Sequence, residues 1–101
     1  MQTEAMDLQD ALTAFQDAYR PDPREGLSVT PQVQGGALSA KVRHQDGETL
    51  RGFDVVAEPL PSERRSAAEL GRDVAEVVHR ELAFGQLAAT DDQGAFKRIV
   101  V

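Results

Sequence analysis

The first apolar residues of the chain recur at intervals of three and four positions. This spacing places them on one stripe of an α-helix and predicts a helix from Glu4 to about Tyr19. Thr3 is the expected N-cap, and Pro21 lies beyond the end of the helix. A helix of this length is marginally stable alone in water, so its stripe must pack against something. The alternatives are the domain's own core and a dimer or partner interface formed by Leu8, Leu12, Phe15 and Tyr19.

Strand-like alternation follows a loop rich in proline, aspartate and glycine at residues 21–26, which we interpret as a hinge. Residues 27–34 alternate between apolar and polar types. Because Pro31 cannot donate a hydrogen bond to a sheet, this strand is predicted to lie at an edge or to break there. After a reversal at Gly35-Gly36, the second strand directs one set of residues to an apolar face and the alternate set to a polar face: Leu38, Ala40 and Val42 against Ser39, Lys41 and Arg43.

A hairpin is predicted at Asp46-Gly47, since both central positions of a type I′ turn require positive φ. The third strand, from about residue 49 to 57, has Leu50 out of phase with Phe53 and Val55. A β-bulge near Gly52 would bring these positions into phase.

The second helix has its own start signal, because Ser66 and Glu69 stand at the two ends of a capping box. An apolar stripe runs from Leu70 to Leu82. Gly71 costs up to about 1 kcal/mol relative to alanine in a helix interior, which indicates a close approach of another backbone. Farther on, residues 86–89 and 95–101 flank the turn-forming run 91–94, and they predict a C-terminal hairpin over 84–101 whose end docks in the sheet.

Together these elements predict a single α+β domain over residues 1–101, in the order helix, three strands, helix, two strands. We expect an antiparallel sheet with two amphipathic helices packed on it.

The composition is typical of globular proteins, since 41% of the 101 residues are hydrophobic and 28% are charged. No apolar run approaches the ~18 residues that span a bilayer, and Glu4 and Asp7 stand where a signal peptide carries basic residues. A cytoplasmic protein is therefore expected. With no cysteine, disulfides and thiolate metal sites are excluded.

Catalytic motifs are absent from the sequence, which has no phosphate-binding loop, dinucleotide-binding glycine pattern, nucleophile elbow or zinc-protease histidine pair. Glu76 and His79 have the spacing of carboxylate-bridged metal sites, but the second pair and the further glutamates that such sites need are missing. A solvated helix face is the better interpretation. We expect a non-catalytic protein with no cofactor, metal or small-molecule substrate.

The net charge of −6 is uneven, because residues 1–25 carry −4 of it. Against this acidity, Lys41 and Arg43, together with Arg51, are predicted to form a basic patch on the polar face of the strands. Such a patch can hold a phosphate backbone without reading sequence, or it can simply prevent pairing between sheets. The first alternative makes these three residues candidates for nucleic-acid binding.

Several short motifs lie in order between Gly35 and Leu82. They are Gly35-Gly36-Ala37-Leu38, Lys41-Val42, Gly47-Glu48-Thr49-Leu50 and Phe53-Asp54-Val55, followed by a proline-containing loop and the helical stripe. In this order they resemble the YbaB/EbfC family of bacterial nucleoid-associated proteins. The resemblance implies a homodimer that binds duplex DNA with little sequence preference, without catalysis or cofactor.

The order of elements and the acidity are also similar to type III secretion chaperones, which are dimeric binders of other polypeptides. An immunity or regulatory partner protein is a related alternative. Either implies a specific protein partner in place of DNA, and the homodimer is expected in both of the main interpretations.

Overall fold

The structure, a computed structural model, describes residues 7–84, 87–90 and 93–101. In this part of the chain two helices and one mixed sheet form an α+β domain, which confirms the predicted fold class. The elements, in chain order, are α1 (Leu8–Ala18), β1 (Leu27–Gln34), β2 (Ala37–Asp46), β3 (Thr49–Ala57), α2 (Ala67–Ala83), β4 (Ala88–Ala89) and β5 (Lys97–Val100).

The helix α1 begins one residue after Asp7, whose carboxylate accepts a hydrogen bond from the Gln9 N–H at 2.9 Å. The helix therefore begins at Leu8 rather than at the predicted Glu4, because Asp7 has extended backbone angles and a side chain that caps the first turn. The predicted cap, Thr3, lies outside the described residues. At the other end the backbone returns to an extended conformation at Tyr19.

The capping box that starts α2 is confirmed. The Ser66 hydroxyl accepts a hydrogen bond from the Glu69 N–H at 3.1 Å, and the Glu69 carboxylate accepts one from the Ser66 N–H at 3.3 Å. The close approach expected at Gly71 is confirmed as well. A Cβ atom built there would lie 2.8 Å from the Phe15 nitrogen and 2.9 Å from the Ala14 Cβ, with the Ala11 carbonyl oxygen nearer still. The two helices therefore cross in contact at this glycine.

In the sheet, β2 lies between β1 and β3, while β4 and β5 lie along successive stretches of the far edge of β3. The strand β4 is antiparallel to β3, whereas β5 is parallel to it. The prediction of an antiparallel sheet is therefore wrong for this edge. The C-terminal hairpin is also wrong, since β4 and β5 are each paired with β3. The strand β5 can pair in parallel with β3 because α2, which lies between them in the sequence, carries the chain back across the sheet.

The hairpin of β2 and β3 keeps one continuous register, from Leu38 opposite Ala57 to Asp46 opposite Thr49. The predicted bulge near Gly52 is therefore absent, and Leu50 simply lies on the other face of the sheet, 42% exposed. The turn between β2 and β3 is also shifted by one residue from the predicted Asp46-Gly47. The central residues of this turn are Gly47 and Glu48, and of these two only Gly47 has positive φ, at 63°, as in a type II′ turn.

The strand β1 is an edge strand that continues through Pro31, as one of the predicted alternatives requires. At the opposite edge the chain end is docked, because the Val101 N–H donates to the Val56 carbonyl at 2.9 Å. This contact confirms the predicted docking of the C-terminal residues.

The core lies between the two helices and one face of the sheet. Its largest fully buried side chains are Phe15 of α1, Leu70 of α2, and Leu38 and Phe53 of the sheet. Both helices pack on this inner face. Neither helix covers the opposite face of the sheet. None of the described helices has the length and apolar character needed to cross a bilayer.

Candidate functional site

The candidate site is the sheet face that the helices leave uncovered, here called the outer sheet face. Strand alternation and the observed register decide which residues belong to it, since paired residues in neighbouring strands share a face. Across from the helices lie Ser28, Thr30 and Gln32 of β1, Ser39, Lys41 and Arg43 of β2, Gly52, Asp54 and Val56 of β3, and Arg98 and Val100 of β5.

Charged residues form one row across this face. Lys41 is paired with Asp54 in the register of β2 and β3, and Asp54 is paired with Arg98 in the register of β3 and β5. Lys41 and Arg98 are both exposed. Among the described residues neither has an ion-pair partner within 4.0 Å. These two cations are therefore available to an incoming anionic group.

Within the described part of the chain the side chain of Arg43, unlike those of Lys41 and Arg98, is held by an ion pair. Its guanidinium donates to the Asp54 carboxylate at 2.8 Å and to the Val42 and Phe53 carbonyl oxygens at 2.9 and 3.3 Å. It also lies 3.8 Å above the centre of the Phe96 ring, a cation–π geometry. At partly exposed sites an ion pair or a cation–π contact contributes up to about 1 kcal/mol each. Arg43 therefore organises the centre of the face, with its charge offset by Asp54.

The position opposite Arg43 is Gly52, and its missing side chain matters for this arrangement. A Cβ atom at Gly52 would collide with the Val42 carbonyl oxygen, one of the groups that accept a hydrogen bond from Arg43. The guanidinium crosses the sheet over this vacant position to reach Phe96 and Asp54. A larger residue at 52 would displace it.

The charges of the protein are separated between its two layers. The helices, with the Asp7 cap, carry seven carboxylates and two arginines. Among the described residues of the outer sheet face, three cations stand against one carboxylate. With three cations against one carboxylate, the outer sheet face is positive in a protein of net charge −6.

Of the three predicted basic residues, the structure brings Lys41 and Arg43 together on this face. Arg51 does not join them. It is paired with His44, has the parity of the inner-facing residues, and lies near the hairpin end. In the continuous register of β2 and β3 its side chain belongs to the other face, so its predicted place in the patch is wrong. Asp54, Phe96 and Arg98 were not predicted as site residues. Alternation with Phe53 and Val55 could have placed Asp54, whereas Arg98 needed the pairing of β5 with β3.

The predicted interface residues of α1 lie in the domain's own core or pack against it. Phe15 is 1% exposed, while Leu8, Leu12 and Tyr19 are partly buried and pack against the core. Phe15 therefore has no surface to offer a partner. The homodimer itself stays a prediction.

His79 has a structural role in place of the predicted solvated one. Its Nε2 accepts a hydrogen bond from the Arg20 N–H at 3.0 Å, and its ring stacks on Tyr19 at 5.5 Å. Burial raises the pKa of the Tyr19 hydroxyl.

Beside the stack of His79 on Tyr19, residues 20–24 and the end of α2 line an open cleft of about 270 Å³. Arg24 ties this segment to α2 by donating to the Leu82 carbonyl at 2.7 Å.

Metal binding has no support in the described part of the chain, where no three or more histidine, aspartate or glutamate side chains converge. No third ligand joins the Glu76 and His79 pair among the described residues, and the His79 Nε2 already accepts a hydrogen bond from the Arg20 N–H. No protein-family model, curated protein or solved structure matches this chain.

Proposed function

We propose that this chain is a non-catalytic binding module whose partner is a polypeptide with acidic side chains that docks on the outer sheet face. The supporting observation is the charge of that face, where Lys41, Arg43 and Arg98 surround Asp54 without a covering helix. In a protein of net charge −6, this concentration of cations is local, and it favours an acidic partner at this surface.

The apolar residues of the face favour a polypeptide. Val100 is 74% exposed beside Val56, and Phe96 lies under the Arg43 guanidinium. Interfaces between proteins combine aromatic and aliphatic side chains with arginine in this way. A phosphate backbone has no group that would pack on Val100, whereas an aliphatic side chain would.

The test is a capture experiment with matched charge reversals. The tagged protein is compared with the double variant Lys41→Glu, Arg98→Glu and with the control Arg72→Glu, Arg80→Glu, which makes the same charge change on the exposed side of α2. We expect one polypeptide, captured from extract of the source organism, to be lost by about tenfold or more only in the first variant. Equal capture by the two variants, or no capture by the unmodified protein, would contradict the proposal.

A second candidate is the binding of duplex DNA, the partner that the YbaB/EbfC resemblance implies. The cations Lys41, Arg43 and Arg98 also favour this function, although three phosphate contacts are few. They correspond to a salt slope of about −2.7 and to an affinity loss of about fortyfold between 50 and 200 mM salt, against 10³ or more for six contacts. Titration of random duplex DNA with this slope, weakened by Arg43→Ala, would establish DNA binding and displace the first proposal.

A further inference from the structure

The strand β5 has one edge with which none of the described strands pairs. Its other edge is parallel to β3, and the Val101 N–H is among the groups that bond to β3. Since successive peptide groups of a strand point to opposite sides, the N–H and C=O groups of Arg98 and Val100 point away from β3. In the described part of the chain no strand is paired with that edge. It therefore offers two donors and two acceptors to an added strand.

We propose that an extended segment of the acidic partner adds to this edge of β5 as a further strand of the sheet. The inference rests on the proposed function, because it specifies how the polypeptide reaches the outer sheet face. An added strand places its alternate side chains on that face, next to the exposed side chains of Arg98 and Val100. Backbone hydrogen bonds would then supply affinity, and these two neighbours would supply selectivity.

The side-chain order of the occupant follows from the strand already paired with β5. In parallel register, Asp54 stands beside Arg98, Val55 beside Ile99 and Val56 beside Val100. The free edge presents the same side chains in the same order. A segment with one acidic residue followed by two β-branched aliphatic residues, parallel to β5, would therefore match its charge and its apolar positions on both faces.

A second copy of the chain is a poor occupant. Pairing two β5 edges would place four cations, Lys97 and Arg98 of both copies, on one short ladder to which β5 contributes no carboxylate. The other edge strand, β1, has no charged residue between Leu27 and Gln34, and Pro31 removes one of its donors. Charge complementarity thus selects a different, acidic chain.

The experiment uses the whole protein and two synthetic peptides. The probe contains the sequence Phe-Asp-Val-Val-Ala between polar flanking residues, and the control contains Phe-Val-Asp-Val-Ala between the same flanks. The control has the same composition but moves the carboxylate to the face that carries Ile99. In a titration followed by amide chemical shifts, we expect the probe to bind at least tenfold more tightly and to shift the Arg98 and Val100 amides most.

Two protein variants test the geometry. Val100→Pro removes an outward N–H and leaves the bonds of β5 to β3 in place, and Arg98→Glu reverses the charge beside the acidic residue. Each should weaken probe binding by about tenfold or more, while Arg51→Glu, an exposed cation away from this edge, should not change it. If Val100→Pro fails to fold, Arg98→Glu and the two peptides still decide the question.

Several results would overturn strand addition. They are equal binding of the two peptides, no binding at millimolar concentration, or shifts confined to other strands. A dimer mass that Val100→Pro reduces to that of one chain would assign the edge to a second copy and overturn it too. If the charge reversals abolish partner capture but Val100→Pro leaves capture intact, strand addition is wrong and the proposed function survives. If the charge reversals leave capture intact, both are wrong.

Discussion

Replacing Gly71 by alanine should destabilise the domain, although alanine is the better helix former. On an exposed helix the change would gain about 1 kcal/mol. At this position, however, α1 crosses α2 in contact with the glycine. The added Cβ would lie 2.8 Å from the Phe15 nitrogen and closer still to the Ala11 carbonyl oxygen, whereas an ordinary Cβ contact begins at 3.4 Å. Both obstructing groups are backbone, so no side-chain rotation can relieve the overlap.

The helices would have to separate by on the order of 1 Å, and a gap of that size forfeits a quarter to a half of each van der Waals contact across it. Overpacking of this kind typically costs about 1–3 kcal/mol, and occasionally more. Because both obstructing groups are backbone, the cost should lie near the upper end, about 3 kcal/mol, and subtracting the gain of about 1 kcal/mol in helix propensity leaves a net loss of about 2 kcal/mol. For a domain of this size that corresponds to a fall in Tm of roughly 8–16 °C.

Chemical denaturation followed by circular dichroism measures this difference. The matched control is the pair Glu76→Ala and Glu76→Gly, which reports the alanine-to-glycine difference at an exposed position of the same helix. The control pair should show alanine as the more stabilising residue, and Gly71→Ala should show the opposite sign. If Gly71→Ala is as stable as the unmodified protein or more so, the close crossing of α1 and α2 is wrong.

Four further outcomes are expected. Ser66→Ala removes the capping box and should cost about 1 kcal/mol in urea denaturation, and an unchanged midpoint would show that the cap contributes nothing. Hydrogen bonding from Arg65 lowers the pKa of the Glu63 carboxyl, so its contribution to stability is present above the unfolded pKa and is lost as pH falls through the lower folded value. Urea midpoints between about pH 7 and pH 3 should therefore fall less steeply in Glu63→Gln, and parallel curves would refute the coupling. His79→Phe keeps a stacking ring but removes the acceptor of the Arg20 N–H, whose hydrogen exchange should accelerate by roughly tenfold, and equal rates would argue against that bond. Light scattering should report a homodimer, which a mass of one chain, 11.0 kDa, would contradict.

Much of the fold was predictable because the signals that specify it are local. The capping box at Ser66, the apolar stripes of the two helices and the alternation of β2 each depend on residues within a few positions of one another. For the same reason Lys41 and Arg43 could be assigned to one polar face. Predictions that needed finer geometry were less accurate. The helix start moved from Glu4 to Leu8, and the turn centre moved by one residue from Asp46-Gly47.

The sequence by itself determined an α+β domain with two amphipathic helices and basic residues on the polar face of β2, and it left the strand at Pro31 either at an edge or broken. Only the tertiary structure decided that β5 is parallel to β3, that Arg98 joins Lys41 beside Asp54, and that Arg51 does not. The physical reason is the distance along the chain. Residues 53 and 97 pair through backbone groups that every strand shares. Which strands pair therefore depends on how α2 returns the chain to the sheet and on which side chains fill the core. Neither can be predicted from residues that are close together in the sequence.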